Sequence, residues 1–476
     1  MRQLARPWQV FLVTAVAVFM AFLDVTIVNV AFPSVRAAFP SASLAELSWL
    51  LNAYNIVFAA LLVPAGRLAD LLGRRRMFLI GLAVFMGASA LCGLAWSVWA
   101  LVAARVLQAV GGALLVPTSL GLLLPEFPPE RRASATALWG AVGAVAAATG
   151  PSLGGLLIAW SGWRLVFFVN LVLGVAAWLP ARRVLRETRD PDRGAVPDAL
   201  GIALLGGGVG LLSLAIVEAP SWGWGSARVL GAVVCAVALL ALFVGRSVTH
   251  PHPVLELSLF RVRSFAVACL GVFTFALGFY AVLLANILFL TGVWRYSTLH
   301  AGVAVTPGPL MAALSSALAG RVIDRYGPRV SAVPGGLIFA LGCLLLATGL
   351  GSEPAYASEF LPAVLLTGTG VGLSFAGFSS AAVAKLPPAR FATGSAISSC
   401  FRQLGAVLGI SVLIAVLGSD GTDFQRAYSL MALTGAAAGV IGLTLGDVRA
   451  TVQAWTSKSA PSTTPSPERA SSAARN

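Results

Sequence analysis

Very few side chains in this sequence can hold a charge away from water, and those few define its chemistry. Asp24 is the one acid well inside a long apolar run, at about residues 9–32. An ionised side chain there costs roughly 2.5–3.5 kcal/mol in hydrocarbon. Burial favours its neutral form, so a carboxyl at this position can serve as a proton carrier. A structural aspartate that caps a helix break or pairs with an arginine is the competing reading. Arg105 and Gln108 stand at i and i+3, with Gly112 at i+7, on one face of another apolar run. A buried arginine must find a carboxylate, a carbonyl or water. Arg105 could therefore modulate Asp24, receive an anionic group of a substrate, or staple two helices. Arg402, beside Gln403, is the other arginine inside an apolar run and is open to the same alternatives.

The elements that position these residues follow from composition. The 476 residues are 58% apolar and 11% charged, with mean hydropathy +0.88. A soluble domain of that size is excluded, and a polytopic helical membrane protein is expected. A bilayer core needs about 20 apolar residues per helix. Such spans lie near 9–32, 47–66, 77–96, 98–122, 134–158, 164–181, 198–217, 228–246, 264–291, 299–320, 330–350, 359–383, 393–418 and 425–446, fourteen in all. The net charge of +14 does not point to nucleic acid, because its carriers sit in short connections between spans. Connections on the side of the termini, with both tails, hold 25 Lys and Arg, against five (Arg36, Arg164, Arg228, Arg295, Arg426) on the other. By the positive-inside rule both termini are cytoplasmic. Tryptophans such as Trp8, Trp49, Trp96, Trp160 and Trp294 fall at span ends, where interfacial anchors belong. The five cysteines fall inside spans without a C-x-x-C pair and read as small buried hydrophobes. The first span, longer than a signal-peptide core, is expected to stay uncleaved. The tail, rich in Ser, Pro and Ala, is expected to be a disordered cytoplasmic extension.

One polar stretch occurs twice. Gly66, Arg67, Asp70, Gly73 and Arg75 recur as Gly320, Arg321, Asp324, Gly327 and Arg329, 254 positions later. The pattern G-R-x-x-D-x-x-G-x-R suits a tight charged connector between helices, with Arg74 adding to the first copy. The first copy joins spans 2 and 3 and the second joins spans 10 and 11, an offset of eight helices. A plain six-plus-six duplication would give six, so spans 198–217 and 228–246 read as inserted. The expected fold is an all-α integral membrane protein, two six-helix transporter halves plus two inserted helices. Its divisions are 1–181, a linker with the inserted pair at 182–262, 263–446, and the tail 447–476. Parallel halves of this kind place a substrate site between them at the midplane.

In the fifth span Gly140, Gly143, Ala147, Gly150 and Gly154 form one stripe of small residues, and Pro151 removes a backbone donor and kinks the helix. The helix is then either a pliant element about which one half rocks or simply a close-packing face. Several patterns carry no function here. Gly150–Gly154 matches G-x-S-x-G outside any strand–turn–helix setting. His250 and His252 lack a third ligand, so no metal is expected. Neither Lys385 nor Lys458 follows a phosphate-binding glycine loop, which excludes ATP hydrolysis.

The Gly66–Arg76 stretch resembles the signature loop of the major facilitator superfamily. Three further stretches resemble its fourteen-helix drug:proton antiporter branch: Leu23–Pro33, Arg105–Gly111 with Ala109 where glycine is usual, and Gly150–Gly155, which fits G-P-x-x-G-G. Trp163-Arg164 with Phe167–Asn170 also fits. The resemblance implies proton-coupled export of amphiphilic drug-like or antibiotic-like molecules by alternating access, in the plasma membrane of a bacterium. It implies proton coupling through Asp24 and Arg105, a substrate cavity touching Asn29, Gln108 and Arg402, and gating by Gly66, Asp70, Gly73, Arg74, Asp324, Gly150, Pro151 and Gly154. No cofactor is expected beyond the proton gradient. The expected partners are a small amphiphile, protons and the bilayer, with the chain monomeric and not an enzyme. A dedicated exporter of the host's own metabolite, such as a self-made antibiotic, or a non-transporting receptor or scaffold on the same fold, are the alternatives; a scaffold would not need an intramembrane charge.

Overall fold

The computed structural model describes residues 5–128, 131–189, 198–387, 390–418 and 422–446. The tail 447–476, expected to be disordered, lies outside the described residues. Among the described residues fourteen helices are long and apolar enough to cross a membrane. They are α1 (Arg6–Ala38), α2 (Leu44–Leu72), α3 (Arg74–Gly93), α4 (Val98–Glu126), α5 (Leu138–Ser161), α6 (Leu165–Val184) and α7 (Ala199–Trp222). They continue with α8 (Ala227–Thr249), α9 (Arg263–Gly292), α10 (Thr298–Tyr326), α11 (Arg329–Gly349), α12 (Tyr356–Val383), α13 (Thr393–Leu417) and α14 (Phe424–Leu443).

Local chemistry sets where these helices start. Ser43 accepts from the Glu46 amide at 3.1 Å while the Glu46 carboxylate accepts from the Ser43 amide at 2.9 Å, a reciprocal cap on α2. Ser97, Asp198, Ser226, Ser297 and Asp423 cap α4, α7, α8, α10 and α14 in the simpler way. Two boundaries differ from the sequence expectation. Gly66–Leu72 is not a loop but the last two turns of α2, and the break before α3 is Gly73 alone. Gly73 has φ of 110°, a conformation that glycine adopts without strain, so one residue reverses the chain. The second copy repeats this, with Gly327 at φ 84°. The span at 299–320 is two helical pieces, Thr298–Val305 and Pro307–Tyr326, because Pro307 has no amide proton to continue the ladder.

Packing repeats with the same offset of eight. In the first half α3 packs on α4, α2 on α4, α1 on α5 and α6, and α3 on α6. In the second half α11 packs on α12, α10 on α12, α9 on α13 and α14, and α11 on α14. The halves meet mainly along two seams, α2 with α13 and α5 with α10, with α1 also touching α9 and α10. The hairpin α7–α8 is held to one of them, since α7 packs on both α2 and α13. Three polar side chains join there: Asn52 of α2 donates to Ser213 of α7 and to Ser411 of α13, at 3.3 and 3.1 Å, and the two hydroxyls lie 2.7 Å apart. Outside α7, α8 shows Val234, Val237, Leu242 and Val248 as an exposed aliphatic face. At the hairpin's other end Arg246 grips the buried Asp198 carboxylate at 2.7 Å, tying α8 to the cap of α7.

Candidate functional site

Two of the three intramembrane charges, Asp24 and Arg105, meet in the first half. Asp24 of α1 is fully buried and forms an ion pair with the equally buried Arg105 of α4. Gln108, one turn on, donates to the Asp24 carboxylate at 2.8 Å and accepts from Arg105 at 2.6 Å. Asn170 of α6 donates to the same carboxylate at 3.0 Å. Ser89 of α3 accepts from both Gln108 and Asn170, at 2.6 and 3.2 Å. Arg105 also donates to the Leu50 carbonyl of α2 at 3.1 Å, and its guanidinium carbon lies 4.1 Å from the centre of the Tyr54 ring. Five helices of one half thus converge on a single carboxylate–guanidinium pair. A charge this deep persists only when paired and hydrogen-bonded, and this one is both.

Between the halves lies a cavity of about 410 Å³, drug-sized and mostly apolar, with seven aromatic rings in its wall. Phe22, Phe58 and Trp139 form its wall on the first half; Phe279, Tyr280, Phe339 and Phe375 form it on the second. Trp139 is fixed by donating from its indole nitrogen to Ser119 at 3.0 Å and by edge contact with Phe22. Phe375 packs edge-on against Phe275 and Phe279. Arg402 of α13 opens onto this cavity, whereas Asn29 and Gln108, expected there, do not line it. The reason for Gln108 is the pair it serves: its amide is spent on Asp24, Arg105 and Ser89. Asn29 donates back to the Val25 carbonyl at 2.8 Å. Nor do Asp24 and Arg105 line the cavity, which lies beside the polar network and not within it; Thr26 and Val25 of α1 and Phe58 of α2 do. None of the lining residues belongs to α7 or α8.

The cavity reaches from mid-depth toward the end of the bundle that carries the termini, where Trp139 and Gly140 near the start of α5 and Ser399 near the start of α13 line it. The opposite end is closed by main-chain contact. A Cβ on Gly155 of α5 would stand 2.8 Å from the Leu299 Cα, and one on Gly302 would run into the Pro151 carbonyl. Ser34 and Thr298 hydroxyls meet 3.3 Å apart beside them. Gly150 and Gly154 turn the other way and seat Thr26 and Ile27 of α1. Gly140 faces open space, so the stripe of small residues packs at one end and lines the cavity at the other.

At the terminal end, Asp70 pairs with Arg74 across Gly73 at 2.7 Å, and Arg74 donates to the Gly121 carbonyl of α4 at 3.1 Å. Glu187, following α6, accepts from the Arg75 and Arg76 amides at 3.0 and 3.1 Å and caps α3. Its carboxylate lies where a side chain on Gly73 would stand. Gly66 lies on α2 against Pro117 of α4. Asp324, the counterpart of Asp70, is exposed and joins none of the ion pairs among the described residues. Glu256, before α9, binds Arg67 of the first half at 3.2 Å and Arg390 of the second at 3.1 Å.

Sequence reasoning missed Ser89, Tyr54, Glu187 and Glu256. Asn170 stood within a quoted stretch without a role. Serine, asparagine and tyrosine within apolar runs carry no spacing signal, and the two glutamates act on helices distant in sequence.

Comparison with known proteins agrees with this geometry. The pattern described as Major Facilitator Superfamily matches residues 14–201, 193–410 and 268–474. The tetracenomycin C resistance and export protein of Streptomyces glaucescens is 34% identical over 418 residues, 88% of this chain and 77% of its own. The multidrug resistance protein Stp of Mycobacterium tuberculosis is 34% identical, with 85% and 75% covered. The probable actinorhodin transporter of Streptomyces coelicolor is 32% identical, with 94% and 80% covered. The human organic anion transporter MFSD10 (TETRAN) shares the fold at a TM-score of 0.62 and 15% identity, over 92% of this chain and all of that one. Matches that run through both halves, on a fold whose halves repeat eight helices apart, show that this chain belongs to the major facilitator superfamily, a family of transporters and not of enzymes.

Proposed function

We propose that the chain is a proton-coupled exporter of amphiphilic drug-like or antibiotic-like molecules, a monomer working by alternating access in a bacterial plasma membrane. The observation that carries the reading is the buried Asp24–Arg105 pair adjoining a drug-sized aromatic cavity. Protonating Asp24 would leave Arg105 without its counter-charge and loosen the contacts that join α1, α2, α4 and α6. Of these, α1, α2 and α4 contribute to the first-half wall, so proton binding and cavity shape are linked through one bond network. The charge excess on the terminal side supports cytoplasmic termini, with halves 1–181 and 263–446 flanking the inserted 182–262. With that orientation the cavity faces the cytoplasm, the loading state of an exporter. The resistance and export proteins among the relatives support the cargo class.

The test is proton flux in proteoliposomes on addition of an amphiphilic drug. Wild type should show drug-stimulated flux, and an imposed pH gradient should drive drug uphill. Undiminished gradient-driven transport by Asp24→Asn would remove Asp24 from the coupling step.

A further inference from the structure

We propose that the cavity selects planar aromatic amphiphiles bearing an acidic group, and that Arg402 receives the anion. Its lining comprises seven aromatic rings, small aliphatic residues and neutral polar groups, and among the described residues Arg402 is its sole charged side chain. No carboxylate among the described residues lines the cavity; Glu218 and Glu359, at span ends, do not reach it. Arg402 joins none of the ion pairs among the described residues, and its Nε is buried without a hydrogen-bond partner. Its neighbours are aromatic: Phe375, with the guanidinium carbon 5.8 Å from the ring centre, and Tyr280, whose hydroxyl donates to Gln403 at 3.3 Å.

Arg105 is satisfied where Arg402 is not. Both arginines are intramembrane, but Arg105 has a carboxylate, an amide oxygen, a carbonyl and a ring to satisfy it. Among the described residues Arg402 has aromatic rings beside it and no counter-charge. A guanidinium is permanently charged and presents a planar fork of donors that fits a carboxylate or a phenolate. Left uncompensated beside an apolar space, it attracts an anion and repels a cation, and low polarity magnifies both effects. Phe375 and Phe279 beside it offer faces and edges for the fused rings of the same ligand. Trp139 and Phe22 supply the wall across the cavity.

This inference rests on the export reading only in taking the cavity as the cargo site. Its test is therefore an equilibrium measurement with no gradient applied. The purified full chain, in nanodiscs of zwitterionic lipid, is titrated with three probes built on one fluorescent tricyclic ring. One bears a carboxylate, one its methyl ester, and one a trimethylammonium group. Wild type should bind the carboxylate at least tenfold more tightly than the ester, and the ester more tightly than the cation. Arg402→Gln should bring carboxylate and ester within threefold while keeping ester affinity, which shows the cavity intact. Arg402→Lys should keep the order with a smaller ratio, because a point charge replaces the fork. A wild-type preference for the cation, or a carboxylate preference that survives Arg402→Gln, overturns the proposal. If Arg402→Gln fails to bind the ester, the wild-type order and Arg402→Lys decide. Absent gradient-driven transport with this selectivity intact would sink the export reading and leave the anion site standing.

Discussion

Asp24 and Arg105 form the residue-scale centre, and each is costly without the other. Removing one partner of a buried ion pair costs about 3–5 kcal/mol, chiefly because the remaining charge is stranded. Asp24→Asn should accordingly lower thermal stability in detergent by that order, and Arg105→Gln likewise. The double substitution should recover much of the loss, since an amide pair of similar size carries no stranded charge. Melting curves of the four proteins form the cycle, and additive losses would show that the pair is not coupled. Asp24 was legible in the sequence because a lone acid in an apolar run has no cheap explanation. Its partner Arg105 was legible for the same reason. Gln108 and Asn29 were assigned to the cavity from resemblance, and neither lines it. A helix apolar on every side gives no sign of which face meets solvent, so the pattern of Arg105 and Gln108 fixed their shared face but not its direction.

At the scale of elements, glycine does two distinct jobs. Gly73 and Gly327 break helices in one residue; Gly155 and Gly302 bring helices of opposite halves into backbone contact. Gly302→Ala should wedge the closed end, since its Cβ meets the Pro151 carbonyl and backbone cannot step aside. The expected outcome is a shift toward the state open at that end. It is read as a tenfold or greater rise in thiol labelling of Ser34→Cys, and unchanged labelling would refute the wedge. Asp70 belongs to the other job. Its pairing with Arg74 ties α2 to α3, and Arg74 ties both to α4, far from the cavity centre. Asp70→Asn should slow conformational exchange several-fold in single-molecule traces while ligand affinity changes less than twofold. Asp324→Asn should do less, because Asp324 is exposed and outside the ion pairs seen. The repeat was plain in the sequence because its residue types and spacing recur. That Gly66–Leu72 is helical was not, because arginine and aspartate suit the end of a helix as well as a loop.

For the whole molecule, the count of fourteen helices and the offset of eight were legible from hydropathy and the repeated motif. Apolar runs of bilayer length have few other uses in a chain of this size. The arrangement of the inserted pair was not legible, because its sequence is apolar without a motif. The hairpin α7–α8 lies along the α2–α13 seam, and Glu256 joins Arg67 to Arg390 at the terminal end of the same seam. Among the described residues the α5–α10 seam carries no such cover. Beside it Leu138, Val145, Leu310, Leu314 and Leu318 are exposed, as lipid-facing side chains would be. The two openings that a twofold plan would make equivalent are thus unequal. An amphiphile already dissolved in the membrane would find a sideways door on one flank only. A photoreactive hydrophobic probe should label α5 and α10 in preference to α2 and α13, read by peptide mapping, and even labelling of both seams would contradict it. The hairpin then acts less as an extra pair of helices than as a shutter, setting the side from which the bilayer delivers its solutes.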